Sequence, residues 1–106
     1  MSWTVAGNSF SSSGDNTIVA APGAGFRLRV KYLCIQNETS TSTTLLVKWG
    51  ETTVGRKVLG SASVAYNYYG ERGNEWLLPA NTALIANLSG ANTHNYEVQY
   101  RAEAIQ

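Results

Sequence analysis

The chain is poor in the groups that chemistry needs. Its 106 residues include one cysteine, one histidine and one aspartate. A lone Cys34 excludes an internal disulfide, and its setting in Leu33-Cys34-Ile35 reads as a small buried hydrophobe. A zinc site draws three or four ligands from His, Cys and carboxylate side chains, and no spacing motif here supplies them. His94 lies in Gly90-Ala-Asn-Thr-His-Asn95, which reads as a solvated hairpin tip, so a Ser-His-Asp arrangement has no base to rest on. Glu71 and Glu75 form the nearest carboxylate pair, but they read as a solvated turn with Arg72 and not as the two-sided pair of a glycosidase. No helix follows Gly23 and Gly25 to offer a dipole to phosphate. The expectation is a protein with no enzymatic activity, no cofactor and no metal.

Charge is also scarce. Charged residues make up 14% of the chain and the net charge is +1, so no long-range field draws it to nucleic acid or an anionic membrane, and neither partner is expected. No apolar run approaches the length of a membrane span, and no apolar stretch of signal-peptide type follows Met1. A soluble protein made in a cytosol is expected. On that footing the glycosylation patterns Asn37-Glu-Thr39 and Asn87-Leu-Ser89 read as chance.

What is abundant is uncharged and polar: ten Ser, ten Thr, nine Asn and ten Gly. These residues favour turns and disfavour helix interiors, while three Trp, six Tyr and many Val, Ile and Thr favour strands. Phe26, Leu28, Val30 and Tyr32 alternate with Arg27, Arg29 and Lys31, the period-2 pattern of a half-buried strand. Tyr96, Val98 and Tyr100 repeat it against Asn95, Glu97, Gln99 and Arg101. The predicted strands are Thr17–Ala21, Phe26–Gln36, Thr44–Trp49, Thr52–Leu59, Ser63–Tyr68, Glu75–Leu78, Ala83–Asn87 and Asn95–Ala104, separated by Gly-, Pro- and Asn-containing turns. This spacing predicts an all-β fold, a β-sandwich or barrel of seven or eight short strands over residues 17–106. The two long alternating strands are expected to pair. Residues 1–16, rich in Ser, Gly and Asn, are expected as an N-terminal arm, either frayed or clasping a partner subunit through Trp3 and Phe10.

Three groups of side chains are candidates for an interface. Arg27, Arg29 and Lys31 sit on one strand face at successive spacings of roughly 7 Å, suited to an acidic surface or to cross-strand charge pairs. Tyr68, Tyr69 and Trp76 bracket a loop that carries Arg72, and exposed Tyr and Trp serve sugar sites and protein interfaces alike. Trp3 and Phe10 complete the set.

From Val19-Ala-Ala-Pro-Gly-Ala-Gly-Phe-Arg-Leu-Arg-Val30, through the Thr-rich Thr43–Gly50, the turn segment Trp76–Asn81, the apolar Leu84–Leu88 and the closing Tyr96–Arg101, the chain resembles small virion proteins of tailed bacteriophages. The resemblance is one of pattern, running over about Thr17 to Glu103, and the arm with Trp3 and Phe10 has no counterpart in it. It implies a single jelly-roll-like β-sandwich of about eight short antiparallel strands, a virion protein made in the bacterial cytoplasm that decorates or cements the head as a homo-oligomer, often a trimer, seated on the major capsid protein or another virion protein. The alternative is a carbohydrate- or receptor-binding module of a tail or fibre.

Overall fold

Alternation of apolar and charged residues extends the chain from Phe26, and the computed structural model, which describes residues 3–62 and 64–105, carries that strand to Asn37. Nine strands are present among the described residues: β1 (Thr4–Phe10), β2 (Gly14–Val19), β3 (Phe26–Asn37), β4 (Thr43–Trp49), β5 (Thr52–Leu59), β6 (Ala65–Tyr69), β7 (Trp76–Leu77), β8 (Leu84–Leu88) and β9 (His94–Ala104). They form two antiparallel sheets, one ordered β1-β9-β3-β6 with β7 also on β3, the other β2-β8-β4-β5. The pairs are nested: β4 lies beside β5, β3 beside β6 and β7, β2 beside β8, and β1 beside β9. A chain folded back on itself in this way is a jelly roll, with β6 and β7 acting as one interrupted edge strand. The expected pairing of the two long strands is present in full, from Phe26 opposite Ala104 to Asn37 opposite His94.

The core lies between the sheets. Leu28, Val30, Leu33, Ile35 and Val98 from the first sheet meet Leu45, Val47, Leu59, Leu84, Ala86 and Leu88 from the second, all essentially inaccessible to water. Each buried Leu, Ile or Val contributes about 1.5–3 kcal/mol by leaving water, which makes this layer the main source of stability.

Several expectations are corrected. Residues 4–10, expected as an arm, form β1 and pair with β9 from Thr4 opposite Tyr100 to Phe10 opposite His94. Phe10 packs against the core, its ring centroid 5.9 Å from that of His94. The alternation in β3 is interrupted at Lys31: Val30 faces Tyr100 but Tyr32 faces Gln99, a one-residue bulge. The extra residue turns Tyr32 outward and Leu33 and Ile35 inward, and it also leaves Cys34 half-buried on the outer face. Phe26, at the end of the sandwich, is 43% exposed. His94 is a fully buried strand residue and not a loop tip. Its Nδ1–H donates to the Asn92 carbonyl at 2.8 Å, and its buried Nε2 has no partner among the described residues. The expected start of β6 at Ser63 lies outside the described residues, as do Met1 and Ser2 of the expected arm.

The Asn37 side chain, at the same end of the sandwich, is satisfied by the loops. Asn37 is buried; its amide donates to the carbonyls of Thr41 (2.8 Å) and Leu59 (3.0 Å), and its Oδ1 accepts from the Thr39 amide at 2.8 Å. The folded protein therefore keeps Asn37 from acting as a glycosylation acceptor. At the opposite end two turns are tied together, the Asn81 side chain accepting from the Gly23 amide at 2.9 Å, with both residues at positive φ.

The docking of Phe10 has a measurable consequence. Phe10→Ala is expected to cost about 2 kcal/mol, less than the ~3–5 kcal/mol of a fully buried phenylalanine, read as a lowered midpoint in urea at unchanged slope. A frayed arm would leave the midpoint where it was.

Candidate functional site

Two irregularities face each other on the outer surface of the first sheet. On β3 the bulge pushes Lys31 outward. Opposite it, the edge strand leaves the sheet after Tyr69, which pairs with Tyr32, and rejoins it at Trp76, which pairs with Val30. The excursion 70–75 is anchored by the Gly70 amide, which donates to the Lys31 carbonyl at 2.8 Å. Glycine is needed at this position because a Cβ on residue 70 would lie 2.9 Å from the Glu75 Cα and would strike the Tyr68 hydroxyl.

Between the bulge and the excursion lies a groove of about 720 Å³, whose walls include Trp3, Lys31, Tyr69, Arg72 and Arg101. Its floor is an ion-pair network. Arg29 donates through Nε to Glu103 Oε1 (2.7 Å) and through Nη1 to Glu75 Oε1 (3.0 Å). Arg27 donates through Nε to Glu103 Oε2 at 2.8 Å. The strand register sets Arg29 directly opposite Arg101, a like-charge pairing that costs stability unless it is compensated. Glu103 and Glu75 compensate it from below. Trp3 does so from above, its ring centroid 4.5 Å from Arg101 Cζ and 5.6 Å from Lys31 Nζ.

The electrostatics follow from these contacts. Hydrogen bonds from Arg29 and then Arg27 outweigh burial and pull the Glu103 carboxyl from 4.5 down to about 2. For Glu75, burial raises the pKa, but the Arg29 guanidinium and the Gly73 amide outweigh it and the net direction is down. Both carboxylates are thus fixed as anions and occupied.

Of the candidate interface residues, the structure gathers Trp3, Arg29, Lys31, Tyr69 and Arg72 in the groove, with Arg27 at its margin. Tyr69 is 66% exposed at the rim. Phe10, Tyr68 and Trp76 are placed elsewhere, packed against the core. Trp76 stacks on Tyr68 with 3.8 Å between centroids and meets Trp49 of the second sheet edge-on at 5.8 Å. Tyr68 Oη donates to the Asn74 carbonyl at 2.7 Å. This aromatic column seals the sandwich beneath the excursion, so the proposed sugar platform of Tyr68, Tyr69 and Trp76 is divided between two sides of the sheet. The sequence reading missed Glu75, Arg101 and Glu103 as site residues. The parity of Arg101 and Glu103 along β9 marks the outer face; Glu75 lies in the excursion, where no alternation marks its side.

Against known proteins, no family profile matches the chain, and no curated protein matches it. Among solved structures it is similar to the virus-like particle of the giant freshwater prawn Macrobrachium rosenbergii extra small virus, determined by cryo-electron microscopy. The TM-score is 0.52 at 11% identity, covering 99% of this chain and 80% of that one. That likeness establishes the fold. It spans β1 as well as the strands that follow, consistent with a jelly roll that starts before residue 17.

Acid should expose the role of Glu103. Its carboxyl has a lower pKa folded than unfolded, so its contribution is fully present above about pH 4.5 and is lost as pH falls towards about 2. Glu103→Gln is expected to lower stability by about 2 kcal/mol at pH 7 and to flatten the fall in stability across that window, measured by urea unfolding at several pH values. Parallel curves for the two proteins would remove the network from the acid response.

Proposed function

We propose that this protein is a non-enzymatic structural component of a virus particle, acting through its surfaces as a homo-oligomer. The observation that carries this reading is the nested jelly-roll strand order, matched over nearly the whole chain by a virus-like particle. Two further features support it. The carboxylates Glu75 and Glu103 are locked in ion pairs with Arg29 and Arg27 and not poised for proton transfer. The outer face of the first sheet presents Trp3, Tyr69 and arginines, the residue types that dominate protein interfaces.

Within that reading, the Pro-Gly turn, the Arg-Leu-Arg-Val strand and the Leu-Pro-Ala-Asn turn favour a decoration or cement protein of a tailed-phage head, a trimer seated on the major capsid protein. In the fold these turns meet, through the bond between Gly23 and Asn81. Shell reinforcement needs no chemistry, only many copies of an interface burying on the order of 1,200–2,000 Å², with multivalency adding to the affinity of each contact.

Light scattering on the purified protein should give a discrete multiple of the 11.5 kDa protomer, three for a trimer. Sedimentation with expanded heads of the phage that encodes it should bring it down at a saturating, stoichiometric ratio. A protein that stays monomeric at tens of micromolar and remains in the supernatant would overturn the reading.

A further inference from the structure

The groove on the first sheet holds more positive charge than its own carboxylates match. Arg27 and Arg29 are paired with Glu103 and Glu75. Three cations remain. Lys31 and Arg72 form no ion pair among the described residues. Arg101 comes no closer than 3.8 Å to Glu103, whose oxygens already accept from Arg27 and Arg29, and its buried Nε–H has no acceptor. Against these three stands Glu71, the one carboxylate of the lining that forms no ion pair among the described residues. In a chain of net charge +1, this is a local excess, and it is held in place. Trp3 lies against both Arg101 and Lys31, and the Lys31 carbonyl is tied to the excursion.

We infer that this groove is a docking site for an acidic segment of another protein, whose carboxylates are received by Lys31, Arg72 and Arg101 and whose flanking side chains pack on Trp3 and Tyr69. Charge complementarity selects an anion. A protein segment is favoured because the lining is built from Trp, Tyr and Arg, the side chains that carry most of the energy at protein–protein contacts. The inference deepens the virion reading, on which it rests for the identity of the partner as a neighbouring particle protein.

The test is a titration of the isotope-labelled full chain with capped hexaglutamate, followed by amide and indole resonances. Saturable shifts are expected at the Trp3 indole, at Lys31, across 69–75 and at Arg101, with affinity falling about tenfold between low salt and 0.3 M salt. Lys31→Glu with Arg72→Glu should weaken binding at least tenfold. Arg72→Glu alone, at an exposed loop residue, should weaken it several-fold and serves if the double variant is unstable. Arg56→Glu with Lys57→Glu, on β5 of the opposite sheet, should leave it unchanged. Shifts spread equally over Arg56 and Lys57, no saturable shift at all, or tighter saturation by glucuronate than by the peptide would overturn the inference, the last by making the site one for an acidic sugar. Loss of peptide binding beside intact sedimentation with heads would refute the groove and leave the virion reading standing; peptide binding by a protein absent from particles would do the reverse.

Discussion

The pairing of β3 with β9 is the constraint on which the rest of the molecule depends. Eleven residue pairs hold the two longest strands in register at the centre of the first sheet. Their inner faces supply Leu28, Val30, Leu33, Ile35 and Val98 to the core, and their outer faces bring Arg27, Arg29, Arg101 and Glu103 together. β1 completes the sheet only because β9 offers its other edge, and β6 and β7 only because β3 does. Because side chains alternate with period 2, one slipped residue anywhere along this pair would exchange core for surface.

The sheet meets that constraint while breaking it once. At Lys31 an extra residue enters β3, and opposite it the edge strand detours through 70–75. One irregularity accommodates the other: the Lys31 carbonyl receives the Gly70 amide, and the surface dips between them. Below the dip, the column of Tyr68, Trp76 and Trp49 packs against the core and joins the sheets. Bulges recur where a strand must re-aim a side chain; here the re-aimed ones are Lys31 and Tyr32, and the groove follows from them.

What the sequence made legible follows from the same period. β3, β4, β5 and β9 alternate clearly, or are bounded by turns, and their limits agree with the prediction to within a residue. A β-sandwich or barrel was legible from the number and spacing of strands, and the jelly-roll order only from the resemblance. β1 was not, because Thr4–Phe10 contains Gly7, Asn8 and Ser9 and buries little besides Ala6 and Phe10; its strand state comes from β9 and not from its own propensity. The bulge was illegible because a chain reading Val-Lys-Tyr-Leu is compatible with either parity, and only the partner strand decides it. His94 misled for a related reason: a polar residue beside Asn and Thr reads as loop until Phe10 covers it. Three cations of the site, Arg27, Arg29 and Lys31, were visible as a row on one strand. Their partition into paired and unpaired members was not, since it depends on Glu75 and Glu103, which come from a loop and from another strand.

If the outer face of the first sheet is the working surface of this protein, assembly must cover it and spare the other sheet. Hydroxyl-radical footprinting of the free protein and of the particle-bound protein measures this directly. The account predicts that Trp3 and Tyr69 lose most of their labelling on the particle while Val58, exposed on the outer face of the second sheet, keeps its own. Protection of Val58 with Trp3 and Tyr69 still open to label would contradict it.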